Sequence, residues 1–310
     1  MDRGDARAVK ARTRIALTIA GSDSGGGAGI QADLKTFTAL GVYAASAITA
    51  LTAQNTRGVS AIHFPPPAIV RAQIEAVLTD FDVAAIKIGM LGNAEIAEAV
   101  AGSLGRVEPS PHPSPASGRG GAPLLPLAGE GGRAKRGRMR AFVIYDPVMI
   151  ASSGDALAGA GLVDAVKAWL LPLIDCLTPN LAEAATLIGA QLARDEAEMV
   201  RQGAALLEFG PRAVLMKGGH LDGAEAVDLL VTADAVHRFA APRLASPNLH
   251  GTGCTLSSAI AAHVVLGASL PAAVAAAKDF VREAIERGAG ATLGAGAGPL
   301  LPLTLREKRR

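Results

Sequence analysis

The chain has 310 residues, half of them hydrophobic, which is enough to bury one large core or two small ones. Thirty basic and 28 acidic residues give a net charge of +2, and their interspersion excludes the basic surface typical of a nucleic-acid-binding protein. A charged start without a signal-peptide pattern, no apolar run of roughly 18 residues and only two cysteines predict a reduced, cytoplasmic protein that does not contact membranes.

The first predicted strand, residues 15–20, runs into a glycine-rich loop at 21–29 and then into a helix at 30–40. This order is typical of a dinucleotide-binding loop, but the GxGxxG spacing fails because the third glycine position is Ile30. The Gly-Lys-Ser/Thr of a Walker A loop is absent from the whole sequence. Asp23, flanked by two serines, is a candidate contact to a neutral substrate that forms hydrogen bonds.

A second strand is predicted at 42–52, with Gln54 and Asn55 just past its end. Ligands of open α/β sheets bind outside the carboxyl ends of strands. An amide there can pair with a ring nitrogen and an amino group together. An ordinary turn rich in Asn and Gly is the alternative interpretation.

A helix is predicted at 68–79, a strand at 83–88 and a helix at 93–101. The strand contains Lys87, which is either a paired lysine of the core or one that extends its amine to the surface. Met90, in the loop that follows, can line an apolar pocket or simply fill the core.

Residues 103–138 differ from the rest of the chain because Gly, Pro, Ser and Arg dominate them. Such a composition buries too little apolar surface to offset the entropy of ordering, so we predict a disordered surface insertion. A basic, proline-rich docking segment is the alternative. The predicted organisation is a flexible tail at 1–13, one domain at 14–290 interrupted by 103–138, and a C-terminal tail at 291–310.

After the insertion, a strand at 141–145 ends at Asp146, a position suited to holding Mg²⁺ or to stabilising a loop. A strand at 173–177 leads to Asn180 and Glu183, whose spacing predicts a capping box that explains Glu183 without a metal. The other predicted elements of this half are helices at 161–170, 196–209 and 271–287 and strands at 213–216, 227–231 and 236–240.

Two further features indicate a site for phosphate. Lys217 follows the strand at 213–216, and the stretch 248–260 forms a glycine turn that opens into an apolar helix. The free N–H groups and dipole at the start of a helix attract anions. Cys254 lies in this first turn, so its thiol pKa is predicted to fall below the usual value of roughly 8.5. A small buried cysteine of the core is the alternative.

Strands and helices alternate along the chain, and almost every polar motif follows a strand. This pattern predicts an α/β fold, a doubly wound, mostly parallel sheet flanked by helices on both faces, with a ligand crevice along its carboxyl edge.

Seven motifs, in this order along the chain, together resemble the ribokinase-like superfamily. Within it they look most similar to the hydroxymethylpyrimidine/phosphomethylpyrimidine kinases of thiamine biosynthesis. Leu249 and the 103–138 insertion depart from the family pattern. The motifs lie at residues 20–36, 49–56, 87–91, 146–149, 178–184, 216–220 and 250–255.

The resemblance implies phosphorylation, dependent on ATP and Mg²⁺, of 4-amino-5-hydroxymethyl-2-methylpyrimidine and then of its monophosphate. It implies a homodimer, because family members are commonly dimers. Cys254 takes the place of the aspartate base of most ribokinase-like enzymes, and cysteine is the residue expected in this subfamily. The implied contacts are Gly21, Gln54, Met90 and Val148 to the pyrimidine, Lys217 and Gly219 to the nucleotide, Asp146 and Glu183 to Mg²⁺, and the N–H groups of Gly251, Thr252, Gly253 and Cys254 to the migrating phosphoryl group.

Three alternatives remain to be compared with this function. A pyridoxal or pyridoxine kinase shares the fold, and the contexts of Gln54 and Met90 favour the pyrimidine. A non-catalytic pyrimidine sensor would be expected to lose Cys254, Asp146 or the anion-hole glycines, all of which are present. A nicotinamide oxidoreductase is disfavoured because the second strand does not end in an acidic residue.

Overall fold

The computed structural model describes residues 13–105, 141–149, 157, 159–219 and 221–302. Most of the predicted insertion, the first twelve residues, His220 and the last eight residues lie outside this description.

One nine-stranded sheet forms the centre of the described structure, in the order β3-β2-β1-β4-β5-β6-β7-β8-β9. The six adjacent strands β2, β1, β4, β5, β6 and β7 run parallel to one another, whereas β3, β8 and β9 are antiparallel to their neighbours. The strands are β1 Ile15–Gly21, β2 Tyr43–Asn55, β3 Gly58–His63, β4 Val83–Ile88, β5 Phe142–Tyr145, β6 Cys176–Leu177, β7 Ala213–Lys217, β8 Glu225–Thr232 and β9 Val236–Pro242.

Helices cover both faces of this sheet. One core lies under α2, α3, α5, α6 and the helical segment 162–173, and the other lies under α1, α7 and α8. The helices are α1 Gly29–Ala39, α2 Pro67–Asp80, α3 Ala94–Leu104, α4 Leu162–Ala165, continued by a π-helical turn at Val166–Leu170 and a 3₁₀ turn at Leu171–Leu173, α5 Leu181–Ile188, α6 Glu196–Leu207, α7 Thr252–Val265 and α8 Leu270–Gly288.

The central strands are buried on both faces because helices cover each side. Six of the seven residues of β1 and five of the six of β4 are buried, which explains their nearly continuous apolar sequences. The predicted α/β, doubly wound, mostly parallel sheet flanked by helices is therefore confirmed. No helix in the described ranges is long and apolar enough to cross a membrane.

The second strand is longer than predicted. Gln54 and Asn55 belong to β2 itself, rather than lying just past its end, because β2 continues as an antiparallel hairpin with β3. The turn between these strands ends at Gly58, whose φ of 151° is in the region that favours glycine. Gln54 therefore projects from a hydrogen-bonded strand at the edge of the parallel sheet.

Two predicted boundaries also differ from the structure. Helix α3 continues to Leu104, which is buried in the core, so 103–104 belong to the helix and not to the insertion. At the other end, Leu300 is buried and the Leu301 N–H donates to the Ala284 carbonyl at 3.2 Å. The described part of the predicted C-terminal tail, 291–302, is thus packed on the domain.

Candidate active site

Six consecutive parallel strands each place a predicted site residue at the same edge of the sheet. In spatial order, β2, β1 and β4 carry or lead into the predicted pyrimidine contacts, and β5, β6 and β7 the predicted phosphate and metal residues. This is the carboxyl edge, where open α/β sheets bind ligands. The residues are Gln54, Gly21, Met90, Asp146, Glu183 and Lys217.

The N-terminus of α7 is built to receive an anion. Gly251 precedes the helix with φ 85°, and a side chain there would overlap the Gly27 carbonyl oxygen. The first bond within the helix runs from the Thr255 N–H to the Gly251 carbonyl at 2.9 Å. The N–H groups of Gly253 and Cys254 precede that bond, so they have no partner inside the helix. The predicted glycine turn and helix are confirmed.

A cluster of charge faces this helix end. The Lys217 Nζ lies 2.6 Å from Asp146 Oδ1 and 3.7 Å from Glu183 Oε2. A Cβ added to Gly253 would lie 3.3 Å from the Lys217 Nζ and 3.4 Å from Asp146 Oδ2. The structure therefore brings together four residues that the sequence assigned to phosphate and metal, and only a glycine leaves this space at the helix end.

Glu183 combines the two roles that the sequence left open. It completes the predicted capping box, because its carboxylate accepts the Asn180 N–H at 2.7 Å and the Asn180 side chain accepts the Glu183 N–H at 2.9 Å. The same carboxylate faces Lys217. Burial raises the pKa of Glu183 to about 7; Lys217 opposes this shift and the charge of Asp146 adds to it.

The thiol pKa of Cys254 differs from the lowered value that the sequence predicted. Burial raises the pKa of its thiol to about 11, although the Lys87 charge and a hydrogen bond from the Gly29 N–H oppose the rise. Asp33 and Asp146 add to the rise. The field of the helix N-terminus is outweighed because the sulfur is buried and two carboxylates act on it. Cys254 is therefore a neutral thiol at neutral pH, not the thiolate that the sequence indicated.

The predicted pyrimidine contacts form the other end of the site. A Cβ on Gly21 would lie 3.1 Å from the Met90 Sδ, and Met90 packs in an apolar cluster with Ala50, Leu157 and Val148. The Thr49 hydroxyl donates to the Met90 carbonyl at 2.5 Å and fixes this loop. Three of the predicted contacts, Gly21, Met90 and Val148, thus line one small apolar region.

Gln54 is half-buried and lies between the two ends of the site. Its Nε2 lies 3.5 Å from the His250 Nε2, and its Oε1 is 3.4 Å from the Thr52 hydroxyl. Both contacts are long, so the amide is only weakly engaged by the protein and is available to a ligand.

The structure gives Asp23 a supporting position instead of the predicted substrate contact. Its carboxylate is 2% exposed and accepts the N–H groups of Gly25, Gly27 and Ala28 at 2.8, 3.0 and 2.8 Å. The His250 Nε2 lies 2.9 Å from the same carboxylate. Burial raises the pKa of Asp23, but the His250 hydrogen bond and the loop N–H groups outweigh this and lower it. Asp23 joins the first glycine loop to the loop that precedes α7.

Gly219 lies in open space, since a Cβ there would meet no atom within 4 Å. Its loop is held by Arg243, whose guanidinium donates to the carbonyls of Gly219, of Leu221 at 2.6 Å, and of Gly223 at 3.1 Å. The prediction did not include Arg243, because its partners are about twenty residues away in the chain and their carbonyls carry no sequence signal.

Lys87 is a paired lysine of the core, one of the two interpretations that the sequence allowed. Its Nζ lies 2.9 Å from Asp33, and both side chains are fully buried. Asp33 also accepts the hydroxyls of Thr18 at 2.6 Å and Ser258 at 2.7 Å. Ser258 is one helical turn after Cys254, so this network lies directly beneath the anion-binding end of α7.

The residues predicted to hold Mg²⁺ fit that ion only as part of a larger shell. Among the described residues, no group of three or more His, Cys, Asp or Glu side chains is placed to hold a metal. Asp146 and Glu183 instead offer two carboxylates at one lysine. Mg²⁺ commonly binds through one or two carboxylates together with waters and substrate phosphates.

Comparisons with known proteins agree with this geometry. The model of the phosphomethylpyrimidine kinase family matches residues 23–112 and 134–301, leaving out a segment that lies inside the predicted insertion. The hydroxymethylpyrimidine/phosphomethylpyrimidine kinase of Rhizobium meliloti is 49% identical over 93% of this chain and 96% of its own.

Two solved structures are also similar. Phosphomethylpyrimidine kinase from Clostridium difficile is 39% identical with a TM-score of 0.70, over 88% of this chain and all of that one. Pyridoxal kinase from Bacillus subtilis, solved with ADP, is 29% identical with a TM-score of 0.76, over 94% and 97%. Both similarities confirm the predicted ribokinase-like fold, and the chain belongs to the phosphomethylpyrimidine kinase family.

Proposed function

We propose that this kinase transfers the γ-phosphoryl group of ATP to the hydroxymethyl oxygen of 4-amino-5-hydroxymethyl-2-methylpyrimidine, and then phosphorylates the resulting monophosphate to the diphosphate. Both acceptors belong to thiamine biosynthesis. The observation that carries this proposal is the meeting of the α7 N-terminus with Lys217 and Asp146, at the same sheet edge as the apolar region around Gly21 and Met90.

At the pyrimidine end, the flat ring packs between Gly21 and the side chains of Met90 and Val148. Gly21 leaves room for the ring because a side chain there would press on the Met90 sulfur. The Gln54 amide reads the ring edge, donating to a ring nitrogen and accepting from the amino group. These contacts orient the hydroxymethyl group toward α7, and such orientation removes much of the entropic barrier to transfer.

At the phosphate end, the N–H groups of Gly253 and Cys254 and the Lys217 ammonium bind the migrating phosphoryl group. These donors are fixed before the reaction, so they stabilise developing charge without reorganising. Asp146 and Glu183 would hold Mg²⁺, which, when bound, neutralises phosphate charge. Gly219, in open space after β7, allows the nucleotide to approach the backbone.

Cys254 accepts the hydroxymethyl proton in the proposed mechanism, but only through its minor thiolate form. Because burial keeps the thiol pKa near 11, that form is scarce at neutral pH. In phosphoryl transfer, positioning and electrostatic stabilisation provide most of the rate. The helix end and Lys217 therefore contribute more than the base.

The test is ADP release by the purified full-length protein with ATP, Mg²⁺ and one of three acceptors: the hydroxymethylpyrimidine, its monophosphate or pyridoxal. Pyridoxal is included because the solved pyridoxal kinase has the same fold. We expect turnover on both pyrimidines and little on pyridoxal. Turnover on pyridoxal alone would contradict the proposed substrate, and pyrimidine binding without turnover would indicate a sensor.

Two controls make this assay specific. An Asp146→Asn preparation, purified in the same way, reports any contaminating kinase or ATPase, because Asp146 belongs to the phosphate cluster. Sedimentation of the same wild-type sample tests the homodimer expected from the family.

A further inference from the structure

The segment 294–300, here called the C-terminal strap, lies across the site loops with almost no space between the backbones. It contains glycine at every second position: Gly294, Gly296 and Gly298. A Cβ on Gly294 or Gly296 would overlap Thr56, and a Cβ on Gly298 would overlap the Asn248 side chain. The three glycines therefore allow the strap to approach the turn at Thr56 and the Asn248 side chain closely.

Hydrogen bonds join the strap to two loops that are far apart in sequence. The Gly296 N–H donates to the Thr56 hydroxyl at 3.1 Å. The His250 N–H donates to the Gly298 carbonyl at 3.1 Å, and the Leu300 N–H donates to the His250 carbonyl at 3.4 Å. The strap therefore pairs with the loop before α7 as a short parallel bridge and also holds the turn between β2 and β3.

The strap is anchored to the body of the domain at its C-terminal end, and the chain just before the strap is also held. Leu300 is buried, and the next residue bonds to α8 through the Ala284 carbonyl. The Asn248 side-chain amide donates to the carbonyls of Gly288 at 2.6 Å and Ala291 at 2.9 Å. The strap is thus a fixed support and not a loose tail.

The two loops that it joins carry the two ends of the site. Thr56 is two residues beyond Gln54, the predicted reader of the pyrimidine edge. His250 immediately precedes Gly251 and the anion-binding turn. Pro299 also packs on the first glycine loop, where a Cβ on Gly27 would lie 2.8 Å from the proline Cβ.

We propose that the C-terminal strap is a positioning element that fixes the distance between the pyrimidine-reading end of β2 and the anion-binding turn of α7. This proposal rests on the proposed function, because it concerns the geometry between acceptor and phosphate. The β2–β3 hairpin is at the edge of the sheet, and no strand of the described residues lies beyond β3. Contacts from the strap therefore hold its turn in place where the sheet does not.

The decisive comparison is Gly296→Ala with Gly290→Ala. Each adds one methyl group to the same C-terminal stretch, but the first must displace the Thr56 backbone, whereas the second meets no atom within 4 Å. For Gly296→Ala we expect kcat/KM for the pyrimidine to fall by about 10²-fold, the effect of roughly 1 Å of misplacement. KM for ATP should change little, and Gly290→Ala should match the wild type.

Amide hydrogen exchange provides a readout that does not depend on the substrate. Gly296→Ala should accelerate exchange in both 52–60 and 249–255, while Gly290→Ala should leave both unchanged. Acceleration confined to 294–300, or an unchanged kcat/KM for the pyrimidine, would overturn the proposal. If the wild type does not turn over any pyrimidine, the proposed function fails, and the exchange result still decides whether the strap couples the two loops.

Thr56→Val is a gentler second variant in case Gly296→Ala folds poorly. It removes the hydroxyl that accepts the Gly296 N–H but keeps the shape of the side chain. We expect a several-fold rise in KM for the pyrimidine and faster exchange at 249–255. Wild-type values for both would contradict the proposed coupling.

Discussion

Two lysine–carboxylate clusters lie near α7, and they differ in how fully their charges are satisfied. In the first, Lys87 and Asp33 are completely buried, and Asp33 accepts hydrogen bonds from two hydroxyls as well as from the lysine. In the second, a single lysine, Lys217, serves both Asp146 and Glu183, and its side chain is 14% exposed.

This difference indicates that the Lys87–Asp33 pair supports the fold, whereas the Lys217 cluster takes part in the chemistry. A buried ion pair is tolerated only when its remaining hydrogen-bonding capacity is met, as it is around Asp33. The Lys217 cluster has two carboxylates for one cation; burial raises the pKa of Glu183, Lys217 opposes this shift and the charge of Asp146 adds to it. A cluster with more carboxylates than cations at a sheet edge is typical of a site that completes its shell with ligands.

The largest expected effect is on enzyme activity, and it comes from a change in the Lys217 cluster. Asp146→Asn should lower kcat by about 10³-fold, because it removes fixed charge beside the migrating phosphoryl group. Folding stability should change by less than about 2 kcal/mol, since Glu183 remains as a partner for Lys217. Steady-state ADP release and urea unfolding measure the two quantities. A large loss of stability with kcat retained would reverse the roles of the two clusters.

A change in the buried Lys87–Asp33 pair should have the opposite effect, lowering stability. Lys87→Met leaves Asp33 buried without its counter-charge and should cost about 3–5 kcal/mol of unfolding free energy. The double variant Lys87→Met/Asp33→Asn removes both charges and should recover most of that loss. Urea unfolding of the two single variants and the double variant gives the coupling energy. Additive losses would show that the pair is not the source of the destabilisation.

The sequence predicted most of the fold because the relevant signals are local. Apolar runs such as 83–88 predict buried strands, and parallel strands bring their carboxyl ends to one edge. That rule placed Asp146, Glu183 and Lys217 together before any contact was known. It also places Met90 on the same edge.

The features that the sequence did not predict depend on partners far along the chain. Asp23 looked like a substrate contact because its partner His250 is 227 residues away. The thiol pKa of Cys254 was predicted in the wrong direction because the local pattern shows the helix end but not the burial or the approach of Asp33 and Asp146. The strap around Gly296 looked like a tail because its glycines pack against Thr56, about 240 residues earlier.

Cys254 provides a further test of the comparison, because charged groups of both clusters shift the pKa of its thiol. Cys254→Ala should lower kcat by about 10²-fold, less than Asp146→Asn, since a base contributes less than the charge cluster. With the thiol pKa at about 11, the thiolate fraction rises with pH, so wild-type kcat should increase from pH 7 to 9. The increase should be absent in Cys254→Ala, and Cys254→Asp is expected to retain turnover.

The matched control is Cys176→Ser, which removes the other cysteine. Cys176 is buried in β6, in the core on which α7 packs, but it belongs to neither lysine–carboxylate cluster, so its replacement should leave the pH profile of kcat unchanged. A full kcat in Cys254→Ala would show that the thiol is not the base.

The smallest expected effect is on the pH dependence of stability, and it again comes from the Lys217 cluster. Burial raises the pKa of Glu183 to about 7 in the folded protein, above its ordinary value of 4.5. The native state therefore holds this proton more tightly than the unfolded chain does. Its contribution to stability is complete below about pH 4.5 and is lost as pH rises toward 7.

Glu183→Gln removes this titration but keeps an oxygen that can accept the Asn180 N–H, so the capping box survives. Between pH 5 and 8, the unfolding free energy of the wild type should fall relative to that of Glu183→Gln, as measured by urea unfolding at each pH. Glu208→Gln, at an exposed position, controls for the loss of one negative charge. Parallel pH profiles for the wild type and Glu183→Gln would mean that Lys217 satisfies both carboxylates, and the contrast between the two clusters would then disappear.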